Sequence, residues 1–175
     1  MDVVDLFSLD QWVRHVRGGV HFTTALLAVL LGPYTLLRHT KGDNRHRMLG
    51  RIWVVLMLVV NGSAFTMFGA NGTPSLFHAF AILSLWAVIP GFLAIRRYRH
   101  TRNADDLTTH IICMHWAVFG LVAAALWQLS TRYLVFVDGR DYGATLWTLA
   151  VLTGLGSWWF SRWLNARFAA QAEGA

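Results

Sequence analysis

The sequence predicts an all-α membrane protein, a polytopic bundle of five transmembrane helices. Two observations predict it. Of its 175 residues, 55% are hydrophobic and only 14% are charged, with a mean hydropathy of +0.44, a balance too apolar for a soluble domain. The apolar residues gather into five stretches, 18–37, 48–70, 76–95, 111–136 and 144–164, each near the roughly 20 residues that cross a hydrocarbon core of about 30 Å. Backbone polar groups in lipid must be satisfied within their own segment, so the stretches read as helices. Little chain remains outside them, and residues 1–175 read as a single integral membrane domain.

The elements follow in order. An acidic tail precedes the first stretch and no small-residue cleavage site follows it, so the stretch reads as a span and not as a cleaved signal. Gly32-Pro33 marks a kink near its end. Asp43 is a candidate N-cap for the second span, and Asn71-Gly72-Thr73-Pro74 is the turn that ends it. The third span carries a second kink signal, Pro90-Gly91. Asp105 or Asp106 is the candidate N-cap of the fourth. Asp138-Gly139 and Tyr142-Gly143 mark the turn before the fifth span. Its Gly154 and Gly156 offer a small-residue surface for a lateral helix or homo-oligomer contact. Cys113 is the single cysteine, which excludes an intramolecular disulfide and a thiolate metal cluster.

Charge sets the orientation. Arg38, Lys41, Arg45 and Arg47 follow the first span and Arg96, Arg97, Arg99 and Arg102 the third, which makes those loops cytoplasmic, with the N-terminus outside and the C-terminus inside. Arg14 and Arg17, beside the first span, pull the other way. The net charge of +6 is thereby explained by topology, and no nucleic-acid partner is expected. Lipid head groups are the natural partners of the basic loops.

Four histidines stand at the ends of the first four spans. With alternating helix directions, His21 and His78 share a level near the outer face, and His46 and His110 share one near the cytoplasmic face. Each pair on facing helices suits a planar haem with two axial imidazoles better than zinc, which takes three or four protein ligands. The expectation is a four-helix cofactor-binding core with two b-type haems, their iron held by His21 with His78 and by His46 with His110. Arg14 and Arg17 outside, and Arg45, Arg47 and Arg51 inside, are candidate partners of the propionates. The ordinary explanations are interfacial histidines and topological arginines. His115 rivals His110 as the inner ligand, although the two point about 140° apart on one helix. His15, His39 and His100 fall in the tail or loops. The tryptophans read mainly as interfacial belts. Asn61, Gln128 and Arg132 are the remaining polar groups in or near the spans, suited to a helix–helix hydrogen bond or a quinone contact. No carboxylate lies in the apolar interior of a span, which argues against a transporter built on buried acids.

The stretch His46-Arg47-Met48-Leu49-Gly50-Arg51-Ile52-Trp53-Val54, with His21, residues 28–33, His110 and Met114, resembles a family of predicted bacterial multi-pass membrane proteins of unknown function, over roughly the first four spans. A weaker similarity, of topology alone, is to di-haem b-type cytochromes of the ascorbate-reducible kind and to bacterial cytochromes that react with quinones, in which alternate helices share a haem. The chain departs from these in lacking an ascorbate or quinone motif. That resemblance implies an electron-transfer oxidoreductase of the bacterial cytoplasmic membrane, with a quinone or other redox partner. The alternative is a small transporter, channel or assembly subunit whose histidines are interfacial or bind a transition metal.

Overall fold

The computed structural model describes residues 16–67 and 76–173. The expected turn at Asn71-Gly72-Thr73-Pro74 lies outside the described residues. The elements are α1 (Val16–Leu37), α2 (Asn44–Ala64), α3 (Leu76–Thr101), α4 (Ala104–Thr131), a π-helical segment (Arg132–Val137) and α5 (Tyr142–Glu173). No strand occurs among the described residues. Four segments are long and apolar enough to cross a membrane: Gly18–Leu37, Asn44–Ala64, His78–Thr101 and Ala104–Val135. The fifth helix is long, but Thr145, Thr148, Thr153, Ser157 and Arg162 dilute its apolar character. By contacts the chain divides into two compact units, residues 16–125 and 126–173 of those described.

Helix limits follow local chemistry. α2 begins at Asn44, ahead of the expected 48, because the Asp43 carboxylate accepts the His46 backbone N–H at 2.7 Å. That satisfies one of the amides a helix start leaves open. α2 also ends at Ala64, short of 70, in turns that run from the Thr66 and Met67 amides to Ser63 and Ala64. The start of α4 corrects the expectation of an Asp105 or Asp106 cap. Asn103 Oδ1 accepts the Asp105 amide at 2.9 Å, and Asp106 pairs with Arg97 at 2.9 Å. Arg102, at φ 57°, makes the reversal between α3 and α4, and Gly42, at φ 76°, supplies the left-handed residue between α1 and α2. There the Lys41 ammonium donates to the Thr35 and Leu36 carbonyls at the end of α1.

In the unit 16–125 the core is made of small side chains and the surface of large ones. Ala28, Ala81, Val88, Ala94 and Ala117 are buried, whereas Leu30, Leu83, Trp86 and Val55 are more than half exposed. In water this distribution would waste apolar burial. In lipid it is the expected one, since packing between helices rewards close approach and the outer side chains meet acyl chains. Trp53 fills the seam between α1 and α2 and donates its indole N–H to the Ala28 carbonyl at 3.0 Å. A Cβ at Gly32 would lie 2.6 Å from that indole nitrogen and 3.2 Å from a Val118 methyl, so α1 meets both α2 and α4 at this glycine. Asn61 ties α2 to α3 through Ser84 Oγ at 3.0 Å. A Cβ at Gly91 would lie 2.5 Å from Met114 Cε and 2.7 Å from Cys113 Cβ, which brings α3 against α4. The helices thus follow one another around the bundle, with α1 and α3 on one diagonal and α2 and α4 on the other.

The second unit has its own seam. Trp127 donates to Thr153 Oγ1 at 2.6 Å, and Asp141 caps α5 by accepting the Ala144 amide at 2.7 Å.

Replacing Gly91 by valine forces apart the α3–α4 contact. The expected result is a loss of about 1–3 kcal/mol, the usual cost of overpacking, read as a lower unfolding midpoint in detergent. Gly120→Val, at an open position, leaves the midpoint near that of the wild type.

Candidate functional site

The four ligand candidates lie on the two diagonals at the two ends of the bundle. At one end, His21 of α1 rests against the last turn of α2. Its Nδ1 is 3.2 Å from the Val60 carbonyl and 2.9 Å from Ser63 Oγ, and the Ser63 hydroxyl itself donates to Val60 O at 2.9 Å. A carbonyl only accepts, so Nδ1 carries the proton and Nε2 keeps a lone pair. His78 of α3 is buried, and its ring lies 6.1 Å from that of Phe65 at an interplanar angle of 59°. Both histidines therefore bear on the stretch from Val60 to Phe65, one through its polar groups and the other through an aromatic face.

At the other end, His110 of α4 donates Nδ1–H to the Gly91 carbonyl of α3 at 2.9 Å, and Nε2 again keeps its lone pair. His46 of α2 is close enough to act electrostatically on His110. Its ring lies against the Thr35 carbonyl, which draws the proton to the nitrogen facing it. Its Nδ1 is buried and has no hydrogen-bond partner among the described residues. An unpaired nitrogen away from water is costly unless something binds it. His46 and His110 thus stand at the same end of the bundle.

His115 differs from His110 in its attachment. Its Nδ1 bonds to the Ile111 carbonyl of its own helix at 2.7 Å, whereas His110 reaches across to α3.

The arginines fall elsewhere. Arg14 lies outside the described residues, as does the side chain of Arg17. Arg45, Arg47 and Arg51 are exposed. The buried side of α2 runs through Trp53, Val54, Met57, Val60 and Asn61, and at 100° per residue Arg47 projects about 80° and Arg51 about 120° from its centre. Arg38 is the guanidinium best anchored near that end, paired with Asp43 at 2.9 Å. Gln128 and Arg132 are half-buried in the second unit, and Asn61 is spent on the Met57 carbonyl and Ser84.

Sequence reasoning missed Ser63, Thr35 and the Gly91 carbonyl as partners of the imidazoles. Pro90-Gly91 stood out as a kink signal, but spacing along one helix does not reveal that a carbonyl there receives a histidine from the next. Among the described residues no group of three or more His, Cys, Asp or Glu side chains gathers as a metal site.

Asp43 lies outside the spans and holds the α1–α2 loop. The His46 amide it accepts, with Arg38 beside it, keeps its carboxyl below the ordinary range. A depressed acid stabilises the fold above its unfolded value, and that contribution is lost as pH falls through the lower folded value. Asp43→Ala is expected to lower the unfolding midpoint at neutral pH and to flatten its fall below about pH 4. Asp43→Asn, which can still cap, retains more of the midpoint, and thermal melts from pH 3 to 7 distinguish the variants.

A family model described as "Predicted membrane protein (DUF2306)" matches residues 18–164. No curated protein and no solved structure matches the chain.

Proposed function

The chain belongs to the DUF2306 family of predicted membrane proteins, and from that footing we propose that it is a di-haem b-type cytochrome of the bacterial cytoplasmic membrane. His46 and His110 hold the iron of one haem and His21 and His78 that of the other. The observation that carries the reading is the inner pair. A buried His46 Nδ1 without a hydrogen-bond partner lies in electrostatic reach of a histidine whose Nδ1–H is committed to a carbonyl. Metal-bound histidines are regularly held in this way, the second ring nitrogen donating to a carbonyl that fixes the tautomer and the ring plane. The same bond in His21, shared between Val60 and Ser63, supports the second pair.

Haem supplies one-electron redox chemistry, and the chain supplies its setting. Gly91 O and Val60 O orient the imidazoles and raise their basicity. Phe65, Met57, Val88 and the small residues of the core exclude water, which favours the less charged state at each centre. With five crossings, α5 included, the N-terminus is outside and the C-terminus inside. Electrons would then pass across the bilayer between a quinone or other redox partner at one face and an acceptor at the other. α5 forms the contact of a homo-oligomer.

The protein expressed in a haem-replete host is expected to show a Soret band, sharp α and β bands on reduction, and two haems per chain by pyridine haemochrome assay. His46→Ala or His110→Ala should remove one haem, and His21→Ala or His78→Ala the other. His115→Ala should retain both. Purified protein without a Soret band, or four histidine variants that all keep full haem, would sink the reading.

A further inference from the structure

The exposed side of α2 near its start carries a groove lined by Asn44, Arg47, Met48, Arg51 and Ile52. Its composition divides around the helix. Asn44, Arg47 and Arg51 form a polar strip, and about 100° further round Met48 and Ile52 offer apolar surface that is 55% and 45% exposed. Arg47 and Arg51 are four residues apart, so their side chains rise from one face about 6 Å apart along the axis. Among the described residues neither guanidinium has a carboxylate partner. The neighbouring acid, Asp43, is already committed to Arg38 and to the His46 amide. Two positive charges therefore stand side by side without compensation.

Their depth decides what can compensate them. By length and composition the candidate span of α2 begins at Asn44, and Arg47 lies about 4.5 Å and Arg51 about 10 Å along the axis from that residue. Arg47 is thereby at the level of the head-group layer, which extends roughly 5–7 Å beyond the hydrocarbon on each side. Arg51 reaches it by extending back toward the surface. A phosphate is the common anion there, and planar guanidinium groups bind its oxygens in pairs.

We propose that this groove is a binding site for an anionic phospholipid. Arg47 and Arg51 clamp the phosphate, Asn44 adds a polar contact at the head group, and Met48 and Ile52 receive the first carbons of an acyl chain. A free phosphate would use the arginines but leave the apolar half of the groove uncovered. The site is independent of the histidine chemistry, and it gives Arg47 and Arg51 a partner on the side of the helix where they stand.

The test uses the full chain in nanodiscs of equal phosphatidylglycerol and phosphatidylcholine, with retained lipids identified by native mass spectrometry after release. Wild type should retain phosphatidylglycerol with a preference of about 30-fold, the scale two interfacial arginines supply. R47Q/R51Q should bring the preference to within about twofold, and the single variants should fall between. R96Q/R99Q, which removes two other exposed arginines, should keep it. R47K/R51K preserves charge and should lose part of the preference, a check that does not depend on neutral variants folding. An unchanged preference in R47Q/R51Q would overturn the site. An equal loss in R96Q/R99Q would replace it with diffuse charge. Displacement of the lipid by millimolar inorganic phosphate alone would make it a free-anion site instead.

Discussion

Side-chain N–H groups donating to main-chain carbonyls of neighbouring helices are the interaction on which the rest of this unit depends. Three instances occur, two between α1 and α2 (Trp53 to Ala28, His21 to Val60) and one between α3 and α4 (His110 to Gly91). In water each would trade one hydrogen bond for another and gain little. In a bundle whose outer surface meets lipid, an indole or imidazole N–H has no solvent to return to, so the bond fixes both the helix spacing and the ring direction. Glycine makes two of them reachable. Gly32 leaves room for the Trp53 indole, and Gly91 lets α4 come near enough for His110 to reach a carbonyl.

The same interaction separates histidines that look alike in composition. His115 satisfies its Nδ1 on its own helix, as a histidine does when it needs only to be tolerated in an apolar segment. His110 and His21 satisfy theirs on a neighbour, which turns the remaining nitrogen to a direction set by two helices. His46 goes further, because its Nδ1 is buried with no hydrogen-bond partner among the described residues. A bundle that served only packing would gain by replacing such a nitrogen with carbon.

Much of the architecture was legible from the chain. Apolar length and backbone self-satisfaction gave four spans within a few residues, and Asp43 announced the start of α2. The cap of α4 was misread because three closely spaced polar residues, Asn103, Asp105 and Asp106 around Ala104, compete for one role. Asn103 takes it while Asp106 is drawn off by Arg97, a partner nine residues away that capping rules do not consider. The diagonal placement of the histidines followed from alternating helix direction. Their partners did not, because Val60, Ser63, Thr35 and Gly91 are defined by how deeply one helix settles against another. Exposure shows the same limit in α2, where Arg47 and Arg51 stand in the open while Trp53 and Val54, one to two turns on, are buried.

That division of α2 into two faces has a physical consequence for any redox centre at its start. A cationic face bound to lipid phosphate is locally neutralised, whereas the same arginines left bare would raise the local potential and favour the electron-rich state of a nearby centre. His46 lies one residue from Arg47, so the charge state of the exposed face would act on a centre held there, weakened by salt in so far as the guanidinium groups stand in water. The two faces act together because a single helix carries both, and the Asp43 cap that fixes where α2 begins also fixes the depth at which both stand.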